Sequence, residues 1–192
     1  METWEIDGRC LEYDDDTHTY ICDGIIVSSI TQLLKIKFGH KYDRVNSEIL
    51  KAAAERGTAI HKAIEDYCHG IPSELPEVRD FAFLQSKYKF ETIKNEVPII
   101  LDFDGETFAG RLDLILIIDD EMAVADIKTT ATLDKEYLGY QLNLYRLGVM
   151  QSYGYEISKL YGIHLKNGTR KMVPIPIKEE AWLLESLNIH GV

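Results

Sequence analysis

Cysteine is scarce in this chain, and what there is excludes two classes of protein. Cys10, Cys22 and Cys68 are far apart and odd in number, so they form neither a disulfide framework nor a four-thiolate metal site. No apolar run approaches the length of a membrane span, and Met1–Arg9 lacks the pattern of a signal peptide. No internal repeat, low-complexity segment or linker divides the 192 residues. One domain spanning 1–192, in a reducing, cytoplasmic setting, is the expectation. Positive charge is also in short supply. Lys and Arg number 21 against 32 Asp and Glu, a net charge of −11. Such a chain repels nucleic acid at long range, so any polyanion partner requires local basic patches or bound cations.

What is present reads as a mixed α/β domain. Aspartate-glycine pairs at 7–8 and 23–24 separate short apolar runs, 4-WEI-6, 9-RCLEY-13, 18-HTYIC-22 and 25-IIV-27, which marks an N-terminal hairpin region. Ser29 and Gln32 make a capping box that opens a short helix to about Phe38. Helical spacing follows over roughly 46–69, with a break or kink expected near Gly57, and again over 77–94 through Val78, Phe81, Leu84 and Tyr88. Strands are expected at 96–103, 106–118 and 122–129, a long helix at 135–152, and a strand at 157–165. A turn at Asn167-Gly168 leads to a strand at 170–177, and a last helix covers 178–188. The predicted fold is a mixed central sheet flanked by helices.

The informative stretch is 110-GRLDLILIIDDEMAVADIKTT-130, where Asp113, Asp126 and Lys128 interrupt runs of Leu, Ile, Val, Ala and Met. An ionised carboxylate away from water costs several kcal/mol unless it is compensated. Strand alternation puts Met122, Val124, Asp126 and Lys128 on one face and Ala123, Ala125 and Ile127 on the other. With Asp119-Asp120 as a two-residue turn, Ile118 faces Glu121, and Asp113 lies directly opposite Asp126. Opposed residues have Cβ atoms about 4.5–5.5 Å apart. Two carboxylates at that spacing suit one or two hard divalent cations. The competing reading is a buried structural ion pair between Asp113 and Lys128.

At these residues the chain resembles the PD-(D/E)XK nuclease superfamily, in particular the branch of RecB-type exonuclease domains and Cas4-like proteins. Gly110-Arg111-Leu112-Asp113 looks like its G-x-x-D strand, Asp126-Ile127-Lys128-Thr129 its D-x-K-T strand, and Gln141 to Tyr145 its Q-x-x-x-Y helix. Gly57 to His61 resembles its G-x-x-x-H helix, and Asn95-Glu96-Val97-Pro98 its acidic strand start. The motifs follow one another in the expected order over about residues 57–145. The resemblance implies a restriction-endonuclease-like core and hydrolysis of DNA phosphodiester bonds, with exonuclease action in recombination, repair or phage DNA processing. It implies Mg²⁺ or Mn²⁺ held by Asp113, Asp126, His61 and the Ile127 carbonyl. Lys128 and Glu96 join the two aspartates as catalytic groups, and Gln141 and Tyr145 contact substrate. The cysteines that hold an iron–sulfur cluster in many Cas4-like relatives have no counterpart, so no cluster is expected. The partners implied are DNA ends or single-stranded segments, a recombination protein, and further copies of the chain, with no membrane.

Each of these residues also has a plainer reading. His61 and Glu65, four apart on a helix, are an ordinary solvated pair. Glu96 is an exposed strand-end carboxylate, and Tyr145 a core tyrosine with its hydroxyl tied off. The whole chain also fits a non-catalytic nuclease-fold module that binds DNA or turns its acidic surface to a basic partner. Candidate phosphate contacts are Lys35, Lys37, Lys41 and Arg44; Lys87, Lys89 and Lys94; and Lys166, Arg170 and Lys171. Tyr42, Tyr88, Tyr137 and Tyr140 are candidates for stacking on bases.

Overall fold

The computed structural model describes residues 1–39, 46–166 and 168–187. Lys41, Tyr42, Arg44 and Asn167, named above, lie outside the described residues, as does the end of the last helix at 188. The chain runs β1 (Glu2–Ile6), β2 (Arg9–Asp14), β3 (Thr19–Cys22), β4 (Ile25–Ser29), α1 (Ile30–Phe38), α2 (Ser47–Cys68) and α3 (Pro76–Tyr88). It continues β5 (Glu91–Phe103), β6 (Glu106–Ile118), β7 (Glu121–Lys128), α4 (Lys135–Tyr153), β8 (Lys159–Lys166), β9 (Thr169–Ile175) and α5 (Glu180–Leu187). No helix among the described residues is long and apolar enough to cross a membrane.

Among the described residues nine strands form one mixed sheet in the order β1-β2-β3-β4-β6-β7-β8-β9, with β5 along the other edge of β6. Helices cover both faces, as the mixed, helix-flanked architecture requires. Helices α1, α4 and α5 pack on one face through Leu34, Leu142, Leu144 and Leu183 against Ile99, Ile115 and Val124. Helices α2 and α3 cover the other through Ile60, Ile64, Phe81 and Leu84 against Leu114, Leu116, Ala125 and Ile127. Val124 and its neighbours Ala125 and Ile127 thus divide between the two layers as alternation demands.

Local chemistry explains most boundaries. Asp7-Gly8 and Asp23-Gly24 both sit at positive φ, the backbone of tight hairpin turns. Asp119 and Asp120 do the same at φ 51° and 60°, closing the two-residue turn that pairs Ile118 with Glu121 and Leu114 with Ala125. Ser29 Oγ accepts from Gln32 N–H while Gln32 Oε1 accepts from Ser29 N–H, so α1 opens on the expected capping box.

Two expectations are corrected. Helix α2 is continuous for 22 residues with no break at Gly57. A Cβ at that glycine would meet Thr129 Oγ1 at 3.4 Å, an ordinary van der Waals contact just past the end of β7. The helix read over 77–94 stops at Tyr88, because Lys89 turns left-handed (φ 54°) and the chain enters β5 at Glu91. Pairing of β5 along the whole of β6 outweighs the helical spacing at 89–94.

Candidate metal centre

Strand β6 organises the site because one of its edges changes partner halfway. Ser28 and Ser29 of β4 pair in parallel with Phe108 and Ala109, while β7 pairs antiparallel from Leu114 onward. Among the described residues no ladder pair forms on that edge between Gly110 and Asp113, and the sheet forks there. A cleft of about 990 Å³ opens at the fork, lined by residues of the N-terminal strands, α1, α2, β5, β6 and Tyr145 of α4.

The register then sets three carboxylates in a row. Asn95 pairs with Leu114 and Val97 with Leu112, which leaves Glu96 opposite Asp113. On the other side the β6–β7 ladder ends at Leu114–Ala125, and Asp113 and Asp126 are the next residues of the two strands, at the mouth of the fork. Glu96 is therefore not the start of a strand, as its motif position implied, but lies well inside β5. It takes a left-handed backbone (φ 45°), which for a residue with a side chain costs roughly 1–2 kcal/mol. At Asp126 the β7 backbone bends its hydrogen bonding toward side chains. Ile127 N–H donates to Asp113 Oδ2 at 2.6 Å.

Each carboxylate has one cation. His61 of α2 places Nδ1 3.4 Å from Asp113 Oδ1 and Nε2 3.1 Å from the Ile127 carbonyl oxygen. Both ring nitrogens therefore face acceptors, the arrangement of an imidazolium. Lys128 Nζ lies 2.6 Å from Asp126 Oδ2, and Arg111 Nε 3.0 Å from Glu96 Oε2. The ion pair considered between Asp113 and Lys128 is thus drawn differently: Lys128 goes to Asp126 and Asp113 to His61. Nor does His61 form a surface pair with Glu65, whose carboxylate binds Lys62.

Protonation follows from crowding. Burial opposes charge on His61, yet Asp113, Asp126 and Glu96 outweigh it and raise its pKa to about 9. Burial and the Asp113 charge push Glu96 up to about 7 against the pull of Arg111 and His61. Asp113 stays ionised despite burial, held down chiefly by His61. Burial pushes Asp126 upward; Lys128 opposes this and Asp113 adds to it. Lys128 in turn is kept protonated against burial by Asp126 and Asp113. Asp126 Oδ2 touches Lys128 Nζ without hydrogen-bond geometry and has no other partner among the described residues.

His61, Glu96 and Asp113 each present a ligand atom within 4.8 Å of the others. Neighbouring ligands of an octahedral ion with bonds of ~2.1 Å lie ~3.0 Å apart and opposite ones ~4.2 Å, so these atoms must draw together by up to about an ångström to share one ion. The Ile127 carbonyl stands beside them. Asp126 is not in this group; it lies next to it, turned toward Lys128, whose side chain opens on an adjoining pocket with Thr130, Asp134 and Tyr137. Tyr145 lines the cleft, and Gln141 does not; the Gln141 Nε2 donates to Tyr145 Oη at 3.2 Å, and its Oε1 is buried without a partner among the described residues. Gly110 makes room for that tyrosine, since a Cβ there would lie 3.2 Å from Tyr145 Cε1.

Of the basic residues singled out in the sequence, Lys35 lines the cleft. Lys37 donates to the Ser186 carbonyl, Lys94 lies over Tyr153, and Arg170 binds Asp80. Tyr140 is buried and stacked on Trp182. Sequence reasoning passed over Arg111 and the cleft wall formed by Trp4, Tyr13 and Tyr20. Arg111 had a usable signal, two residues before Asp113 and hence on its face; the wall had none.

No family model matches the sequence, and no curated protein does either. Solved structures do. The crystal structure of SSO0001 is similar over 86% of this chain and 73% of its own, with a TM-score of 0.50 and 16% identity. A crystal structure described as "Putative exonuclease" from Eubacterium rectale is similar over 70% of this chain and 64% of its own, with a TM-score of 0.47 and 13% identity. The likeness to SSO0001 is one of fold alone.

Proposed function

We propose that the chain is a divalent-metal-dependent DNA nuclease that hydrolyses phosphodiester bonds at DNA ends or in single-stranded segments. The observation that carries this reading is the convergence of His61, Glu96 and Asp113 on one point at the floor of an open cleft, with the Ile127 carbonyl and a protonated lysine beside it. Oxygen-rich donors with one imidazole suit Mg²⁺ or Mn²⁺. A divalent ion held there supplies Lewis-acid polarisation of a phosphoryl oxygen and activation of water.

The residues have separate tasks. Asp113, Glu96, His61 and the Ile127 carbonyl hold the ion, and His61 gives up a proton to do so. Asp126 keeps Lys128 protonated and fixes its position at the edge of the row. Lys128 then carries the fixed positive charge that stabilises the charge building on the phosphate in the transition state. Gln141 orients the Tyr145 hydroxyl by donating to its oxygen, which leaves the Tyr145 proton directed at a phosphate oxygen in the cleft. Arg111 anchors Glu96.

A second reading is a non-catalytic module. It is favoured by the pairing of every carboxylate in the row with its own cation, His61, Lys128 or Arg111, which neutralises the network without a metal. One experiment separates the two. End-labelled linear DNA, closed circular DNA and RNA are incubated with the protein, with and without Mg²⁺ or Mn²⁺. Degradation of linear DNA that needs the metal, and that disappears in folded Asp113→Asn and Lys128→Met proteins, supports the nuclease. Undiminished degradation by those variants refutes the assigned site, and calorimetry showing no divalent binding selects the module.

A further inference from the structure

The cleft has two walls of opposite chemistry. One is the carboxylate row. The other is the inner face of the N-terminal strands, where Glu2 pairs with Tyr13 and Tyr13 with Tyr20, so that the three side chains stand abreast across β1, β2 and β3. The rings of Tyr13 and Tyr20 lie 4.6 Å apart, centroid to centroid. On Tyr13 rests the guanidinium of Arg111, 5.4 Å from the ring centre, fixed by ion pairs at 3.0 Å to Glu2 and to Glu96. Trp4, two residues from Glu2 and on the same face, lines the same cleft; it packs in part against the small core of Ile6, Leu11 and Tyr20, and its indole has no ring or hydrogen-bond partner among the described residues.

We propose that this face, Trp4 and Tyr13 with Arg111 laid against it, is a base-stacking subsite that seats unpaired nucleotides of the DNA strand whose phosphate reaches the carboxylate row. The inference deepens the nuclease reading and rests on it. Planar groups of this kind offer their faces to bases, and a base can use them only when its own face is not covered by a neighbour in a duplex. Stacking is indifferent to base identity, as every base has a π-face. The subsite also answers the charge problem. In the cleft Lys35, Lys62, Arg111 and His61 only balance Glu2, Glu65, Glu96 and Asp113, and the chain is net −11, so phosphate attraction alone is a poor source of affinity. Contacts to bases supply it without added positive charge. Arg111 links the two walls directly, because the guanidinium that lies on Tyr13 also holds Glu96 of the metal group.

The test measures binding apart from hydrolysis. Fluorescein-labelled dT12, an abasic strand of the same length, and the dT12·dA12 duplex are titrated with the full chain in EDTA and followed by anisotropy. The wild type is expected to bind dT12 at least about tenfold more tightly than the abasic strand or the duplex, the effect of one or more stacked bases. Trp4→Leu and Tyr13→Leu proteins lose that preference, whereas Tyr13→Phe, which keeps the ring, retains it. Quenching of Trp4 fluorescence by dT12, absent in Trp4→Leu, is the accompanying signal. Equal affinity for dT12 and the abasic strand, no binding at all, or an unchanged preference in the leucine variants overturns the subsite. Metal-dependent hydrolysis of linear DNA, assayed in parallel on the wild type, tells the two failures apart. If it persists without base preference, only the subsite falls; if it is absent too, the nuclease reading falls with it.

Discussion

Metal binding to this site must compete with a proton on His61, and that competition can be measured. The imidazole sits between Asp113 Oδ1 and the Ile127 carbonyl with a pKa of about 9, against about 6.5 when unperturbed. In the metal-free protein the sign is fixed. A raised folded-state pKa stabilises the fold fully below about pH 6.5, and that contribution is lost as pH rises through about 9. Metal binding runs the other way, because the ligating nitrogen must be neutral. Between pH 6.5 and 8.5 the apparent affinity for Mn²⁺ should rise about tenfold per unit, about 100-fold in all, equivalent to about 2.7 kcal/mol. A second proton, from Glu96, adds to the slope near pH 7. The assay is isothermal titration at pH 6.5, 7.5 and 8.5 in pairs of buffers that differ in ionisation enthalpy, which yields both affinity and protons released. Thermal melts with and without Mn²⁺ should show a metal-induced rise in Tm that grows over the same range. A His61→Gln protein should bind more weakly at pH 8.5 and lose most of the slope. Affinity independent of pH, with no proton released, would refute the assignment of His61 as a ligand.

The charge pair beneath the row separates folding from function. Lys128→Met alone should destabilise the protein by about 3–5 kcal/mol, because it leaves Asp126 buried and unpaired. Adding Asp126→Asn should recover most of that loss in urea unfolding while metal-dependent DNA degradation stays absent. Gly110→Ala should lower stability by about 1–3 kcal/mol through the Cβ that crowds Tyr145, and degradation should fall as the ring shifts. Within α4, Gly148→Ala should cost about 1–3 kcal/mol, since its Cβ would lie 2.6 Å from Ile99 Cδ1. Gly139→Ala in the same helix meets no atom within 4 Å and should stabilise by up to about 1 kcal/mol. Opposite signs for these two in thermal melts check the packing of α4 on β5.

Strand alternation and a two-residue turn are properties of a few consecutive residues, so the sequence by itself determined the β6–β7 register from Ile118–Glu121 to Leu114–Ala125, one pair short of Asp113 and Asp126. The same holds for the capping box at Ser29 and for the hairpins at Asp7-Gly8 and Asp23-Gly24, where the local backbone preference and the final structure agree. Residues 89–94 misled because their outcome depends on a distant partner, the length of β6, and a lone glycine such as Gly57 is tolerated inside a long helix. Only the tertiary structure decided which cation each carboxylate takes. His61 reaches Asp113 from α2, more than fifty residues away in sequence, and Arg111 reaches Glu96 across the strand pair. Only the tertiary structure, too, brought Trp4 and Tyr13 to the cleft, through the parallel pairing of β4 with β6 at the fork. Short-range spacing encodes which way a side chain points; which other segment it meets is set by how the layers pack, and no local pattern carries that information.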